Sequence, residues 1–183
     1  MERRSFFIAA VGLCGFLCLW VTHGISCAAG FPKPGKDDRC PVCGMFVYKY
    51  PKWAAGFVFK SGASYFHCCP KCMLHNLLHV PKYQPGETRE NVCQIWITEY
   101  YTTKQTDAYE VLFVVGTNLV GPMGLDLIPV RGRTAAETLK KDYQGEFIVT
   151  LDEVSAEMLD RVRKGRLKQN SSKRQTPPPF FPK

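Results

Sequence analysis

Residues 53–79 read WAAGFVFKSGASYFHCCPKCMLHNLLH, a stretch in which two strand-like runs give way to a helical one and so decide the fold class. Residues 53–60 and 63–67 are rich in aromatic and apolar side chains, and Ser61-Gly62 between them predicts a hairpin with a tight turn. Beyond residue 69 the pattern changes. Cys72, Leu74, Leu77 and Leu78 recur at helical intervals, Pro70 suits a first turn, and Pro81 closes the segment. Residues 92–99 (VCQIWITE) alternate as a strand does, which completes an order of strand, strand, helix, strand.

The same order returns downstream without residue identity. Residues 108–115 and 125–130 read as strands, 134–143 (TAAETLKKDY) as a helix and 146–151 (EFIVTL) as a strand. Asp152 is then expected to cap a final amphipathic helix running to about residue 164. The expected architecture is α+β: two tandem ββαβ units, residues 40–104 and 105–166. A linker at 31–39 joins them to an N-terminal segment, residues 1–30, and a tail follows at 167–183.

The N-terminal segment opens with Arg3 and Arg4 and continues into an apolar run from Phe6 to Val21, the pattern of an export signal. The run is short against a membrane span of about 20 residues, so cleavage is favoured over a permanent anchor. Gly24-Ile25-Ser26-Cys27 resembles a bacterial lipoprotein box, making Cys27 the expected lipidation site and a lipid anchor on the periplasmic side the expected location. Cys14 and Cys18 lie inside the apolar run and are read as small membrane-soluble residues.

The net charge of +8 suggests a nucleic-acid partner until it is placed along the chain. From residue 161 to the end there are eight basic residues and no acidic one, whereas residues 31–160 hold 14 basic and 15 acidic residues. A nearly neutral body offers no face to neutralise a run of phosphates, which excludes nucleic acid as the partner. The proline-rich tail forms neither helix nor central strand and reads as solvated.

The chemistry lies in six cysteines beyond the N-terminal segment: Cys40, Cys43, Cys68, Cys69, Cys72 and Cys93. Cys40/Cys43 and Cys69/Cys72 have the C-x-x-C spacing that lets one turn aim two sulfurs at one ion, with 25 residues between the pairs. Three readings follow: a closed tetrathiolate zinc site, a disulfide framework natural to an exported chain, or a transfer site for a soft ion. Met45 favours the third, because a thioether is a poor zinc ligand and a good one for Cu(I). Haem attachment is excluded, since Gly44 and Met73 stand where a C-x-x-C-H motif needs histidine. A thioredoxin-like pair lacks its βαβ context. On the predicted helix Cys72, His75 and His79 share a stripe that would reach a metal, with Met73 turned into the core. Met123, in the tight turn Gly121-Pro122-Met123-Gly124, is expected to display a thioether at a loop tip.

Together, Cys40-Pro41-Val42-Cys43-Gly44-Met45, Trp53-Ala54-Ala55, Val120-Gly121-Pro122-Met123-Gly124, Leu127-Ile128-Pro129 and Leu151-Asp152-Glu153-Val154 resemble the NosL family over roughly residues 38–154. The resemblance implies a periplasmic Cu(I)-binding lipoprotein that assists assembly of the copper centres of nitrous oxide reductase. It also implies a fold of paired ββαβ units related in shape to an organomercurial lyase. The family's copper motif carries onto Cys43 and Met45, with Cys40 beside them and Met123 approaching from the second unit. Cys72 falls where relatives often have cysteine. His67 and Cys68 stand where relatives commonly show acidic residues, which adds both, with Cys69, to the candidate ligands and opens a second site, another metal or disulfides peculiar to this chain.

The function expected is therefore a Cu(I) metallochaperone that passes its ion to a copper-acceptor protein, nitrous oxide reductase or its assembly machinery. The alternative is a zinc- or disulfide-stabilised interaction module on the membrane. No general acid or base accompanies the cysteines, so an enzyme is not expected.

Overall fold

Strand β1 (Ala55–Phe59) is buried along its whole length because it lies inside a four-stranded antiparallel sheet of order β2–β1–β3–β4. Its neighbours are β2 (Ser64–His67) and β3 (Val92–Thr98), and β4 (Gln105–Asp107) extends β3 at the edge. The computed structural model describes residues 30–165. The export segment with Cys27, apart from Gly30, and the basic tail from residue 166 lie outside the described residues. Within those residues, no helix is long and apolar enough to cross a membrane.

The two faces of the first sheet do different work, as the two-residue period of a strand requires. Ala55, Phe57, Phe59, Ile95 and Ile97 face the main core, while Trp96 faces a second cluster that contains the cysteines. Gly56 pairs with Trp96 across the ladder, and a Cβ there would stand 2.6 Å from the Tyr65 carbonyl and 2.8 Å from the indole. The indole takes the space that a side chain at residue 56 would need. The predicted turn closes where expected, with the Gly62 amide donating to the Phe59 carbonyl at 2.8 Å.

Helix α1 (Pro70–Leu78) starts on its proline and buries Met73, Leu74 and Leu77 in the main core. Pro81 does not simply end the segment. It sits in the first turn of a short α2 (Val80–Tyr83), a position where its missing N–H costs nothing.

The second sheet has the order β8–β5–β9, from β5 (Leu112–Val115), β8 (Ile128–Val130) and β9 (Phe147–Val149), with α3 (Arg133–Asp142) between β8 and β9. This repeats the arrangement β2–β1–β3 with α1 between β2 and β3, so the ββαβ order occurs twice. A small hairpin, β6 (Val120–Gly121) and β7 (Gly124–Leu125), is inserted between β5 and β8. Residues 108–110, expected as strand, form a 3-10 turn because the Asp107 carboxylate accepts from the Tyr109 amide at 2.9 Å.

The final helix α4 (Ala156–Lys164) is capped by Ser155, not by Asp152: the Ser155 hydroxyl accepts from the Met158 amide at 3.2 Å. Asp152 lies instead in a single 3-10 turn closed by Thr150, whose amide and hydroxyl donate to the Glu153 carboxylate at 2.7 and 2.9 Å. Val154 then returns to extended backbone and ends that turn before α4 begins. α4 packs on α1 and β7, placing Leu159 and Val162 in the same core as Phe57 and Phe113.

Candidate metal centre

The front of the described chain folds into a tight knuckle over residues 39–47. Arg39 and Phe46 form an antiparallel bridge, the Cys40 amide donates to the Met45 carbonyl at 2.9 Å, and the Gly44 amide returns to the Cys40 carbonyl at 2.8 Å. Gly44 takes φ +75, a conformation that favours glycine, and the Arg39 guanidinium stacks 3.8 Å over the Phe46 ring while donating to the Gly44 carbonyl. The spacing of Cys40 and Cys43 is thereby converted into a fixed direction.

The knuckle faces the junction of β2 and α1. Cys43 Sγ lies 3.4 Å from Cys68 Sγ, and Cys68 Sγ lies 3.9 Å from Cys72 Sγ. Sulfurs of Cys40, Cys43, Cys68 and Cys72 all fall within 4.8 Å of one another. Cys40, Cys68 and Cys72 are 1%, 0% and 4% exposed, and Cys43 alone is half-buried at the rim. The five cysteines Cys40, Cys43, Cys68, Cys69 and Cys72 are free thiols, so the disulfide framework does not form among them.

This selection of sulfurs follows from local geometry. Cys68 follows Phe66 on the sheet face that carries Trp96, and one turn of helix places Cys72 beside it at i+4. Cys69 is the extended N-cap residue of α1 and lies outside the four-sulfur group, although it is buried in the same cluster. Cys93, on β3, is not a member either.

Four thiols at such separations hold their protons jointly. Burial first, partly offset by the Met45 amide, pushes the Cys43 thiol up to about 12. Hydrogen bonding with Cys40, Cys68 and Cys69, followed by burial, also raises Cys72, whereas hydrogen bonding from Cys40 first lowers Cys68. A second thiolate beside the first is resisted unless a cation joins them, which is the electrostatic condition for metal to displace thiol protons. At a metal–sulfur distance of about 2.3 Å, tetrahedral ligand sulfurs stand about 3.8 Å apart, so the group is also of a size for zinc.

The remaining candidates are distributed around this group. Met45 is half-buried and packs on the cysteine cluster. Met123 sits at the β6–β7 turn, 40% exposed, on a hairpin whose Gly121 lies so close under the Trp53 ring that a Cβ there would meet it at 2.9 Å. His67 is fully buried, its Nε2 accepts from the Asn76 amide at 2.9 Å, and burial pushes its pKa down to about 4, so it is neutral. It is not part of the four-sulfur group. His75 and His79 are not part of it either: their rings pair at 4.6 Å, and His79 Nδ1 bonds the His75 carbonyl at 2.8 Å.

Sequence reasoning missed the device that ties helix α1 to the inserted hairpin at this point. Lys71, between Cys69 and Cys72, sends its ammonium to the carbonyls of Met123 and Leu125 at 2.8 and 2.5 Å. Its backbone amide donates to Asp126 Oδ1 at 2.7 Å, and the Leu127 amide does so at 2.8 Å. The methionine hairpin is thereby clipped to the helix that carries Cys72. Asp126 is fully buried; burial raises its pKa to about 6, against the pull of the Lys71 charge. The available signal was a lone carboxylate within the apolar run Leu125-Asp126-Leu127-Ile128.

A model of the NosL family matches residues 33–159, well over half of the chain. The chain belongs to the NosL family. Its fold is similar to that in the crystal structure of the copper chaperone NosL from Shewanella denitrificans, with a TM-score of 0.59 and 20% sequence identity. That similarity covers 70% of this chain and 97% of the other. A comparison with curated proteins finds no significant match. The NosL match spans the knuckle, both sheets and the start of α4, so the four cysteines and the methionine hairpin all lie within the family's domain.

Proposed function

We propose that this chain is a copper metallochaperone: it binds Cu(I) at the four-thiol group and passes it to a copper-accepting protein. The observation that carries the reading is the convergence of Cys40, Cys43, Cys68 and Cys72 within 4.8 Å, with Cys43 at the rim. Membership of the NosL family and the likeness in fold to a copper chaperone support the same reading. Thiolate donors select soft Cu(I), and the thioethers of Met45 and Met123 add weak soft ligands that bind without enclosing. An acceptor's sulfur enters beside Cys43, displaces one ligand at a time and takes the ion by exchange.

In this reading residues 1–30 export the chain, Cys27 carries the lipid that holds it on the periplasmic side of the membrane, and the acceptor is nitrous oxide reductase or its assembly machinery. Outside the reducing cytoplasm the thiols persist through bound copper or a dedicated reductant.

The test is metal analysis of the full chain, purified reductively without air and challenged with a Cu(I) chelator. Retained Cu(I), weakened in Met45→Ala and released to an added copper-accepting protein, is the expected result. Tightly held zinc that copper does not displace, unaffected by Met45→Ala, would overturn it in favour of a structural zinc module.

A further inference from the structure

Four sulfurs are more than one monovalent ion uses, since Cu(I) is satisfied by about two or three thiolates. The arrangement is also uneven. Cys68 lies between two partners, 3.4 Å from Cys43 and 3.9 Å from Cys72, where a single tetrahedral ion would hold every pair about 3.8 Å apart. A sulfur flanked closely on both sides is placed as a bridge. Two Cu(I) on four thiolates leave two negative charges, the same as one Cu(I) on three, so a second ion engages every sulfur without adding charge to a site in which Cys40, Cys68 and Cys72 are buried. The ammonium nearest in sequence, Lys71, is committed to the carbonyls of Met123 and Leu125.

Resting on the copper reading above, we propose that the group takes two Cu(I) ions as a thiolate-bridged pair. Cys68 is the bridging sulfur, Cys43 and Cys72 are the outer ligands of the two ions, and Cys40 completes the set. Each ligating thiol gives its proton to solvent, so loading two Cu(I) on four thiols releases four protons and transfers no electron. The ion on the Cys43 side is the one within reach of an acceptor. The ion on the Cys72 side is the buried reserve.

The full chain, reduced and kept free of oxygen, is titrated with Cu(I) in the presence of a competing chromogenic Cu(I) chelator. Two ions retained per chain and a copper–copper scattering path in X-ray absorption are expected. Cys68→Ser should halve the count and abolish that path while circular dichroism stays native; if the variant does not fold, the wild-type count and scattering decide. One retained ion with no metal–metal path at saturation would overturn the paired site and leave the copper-carrier function standing. Failure to retain any Cu(I) would overturn both.

Discussion

Replacing Asp126 by asparagine changes how stability depends on pH, and the structure sets the sign. The wild-type carboxyl is fully buried and its pKa is raised from 3.8 to about 6, so between those values the folded state binds more protons than the unfolded one. The stabilising effect of that proton is complete below about pH 4 and is lost as pH rises through about 6. A displacement of roughly two pH units corresponds to about 3 kcal/mol. Asparagine keeps an oxygen for the Lys71 and Leu127 amides and cannot ionise. The stability of Asp126→Asn minus that of wild type should therefore grow by about 3 kcal/mol between pH 4 and pH 7. Urea denaturation of both metal-free, reduced proteins at pH 4, 5, 6 and 7, followed by tryptophan fluorescence, measures the difference. A gap that stays constant across the range refutes the argument, because it would mean that the folded protein does not perturb this carboxyl.

His67→Gln should show the opposite trend: burial holds the wild-type imidazole down at about 4, so its stability contribution is present above about pH 6.5 and lost on acidification toward 4. The same denaturation series should then show wild type losing about 3 kcal/mol relative to the glutamine variant as pH falls. Gly56→Ala drives a methyl into the Tyr65 carbonyl and the Trp96 indole and should cost about 1–3 kcal/mol, read as a melting temperature several degrees lower. Lys71→Met removes both bonds to the methionine hairpin and should cost about 2 kcal/mol, with a larger rise in amide hydrogen exchange at residues 120–125 than in the second sheet.

Sequence patterns revealed the strands and helices where a period persisted long enough to be read. The run from residue 53 to 79 changes from two-residue alternation to helical spacing, and β1, β2 and α1 follow it to within two residues. Strands of two or three residues carry no period, which is why β4 and the separation of β7 from β8 were not legible. Asp152 was misplaced because Thr150, Asp152 and Ser155 all carry cap-type side chains, and which one caps depends on where Val154 leaves helical geometry.

The site was legible as cysteine chemistry but not as a selection of sulfurs. Two C-x-x-C pairs point to Cys69 and Cys72 as the partners of the knuckle; Cys69 does hydrogen-bond Cys72, but the strand brings Cys68 to the knuckle, so Cys68 and not Cys69 joins the four-sulfur group. That choice depends on the face of β2, which is set by pairing with β1. The Lys71–hairpin contact joins residues more than fifty positions apart, and no local spacing announces it.

On the proposed copper-carrier reading, placing three sulfurs in the interior and one at the rim also sorts the molecules that compete for the cargo. A bulky scavenger meets only Cys43, so it forms a single bond with the ion while the other donors keep their hold. A slender donor presented by a complementary protein surface reaches further in and can replace the inner donors in turn. Theft by bulky competitors is thus slowed by shape, and the proposed delivery favours a partner that fits the opening.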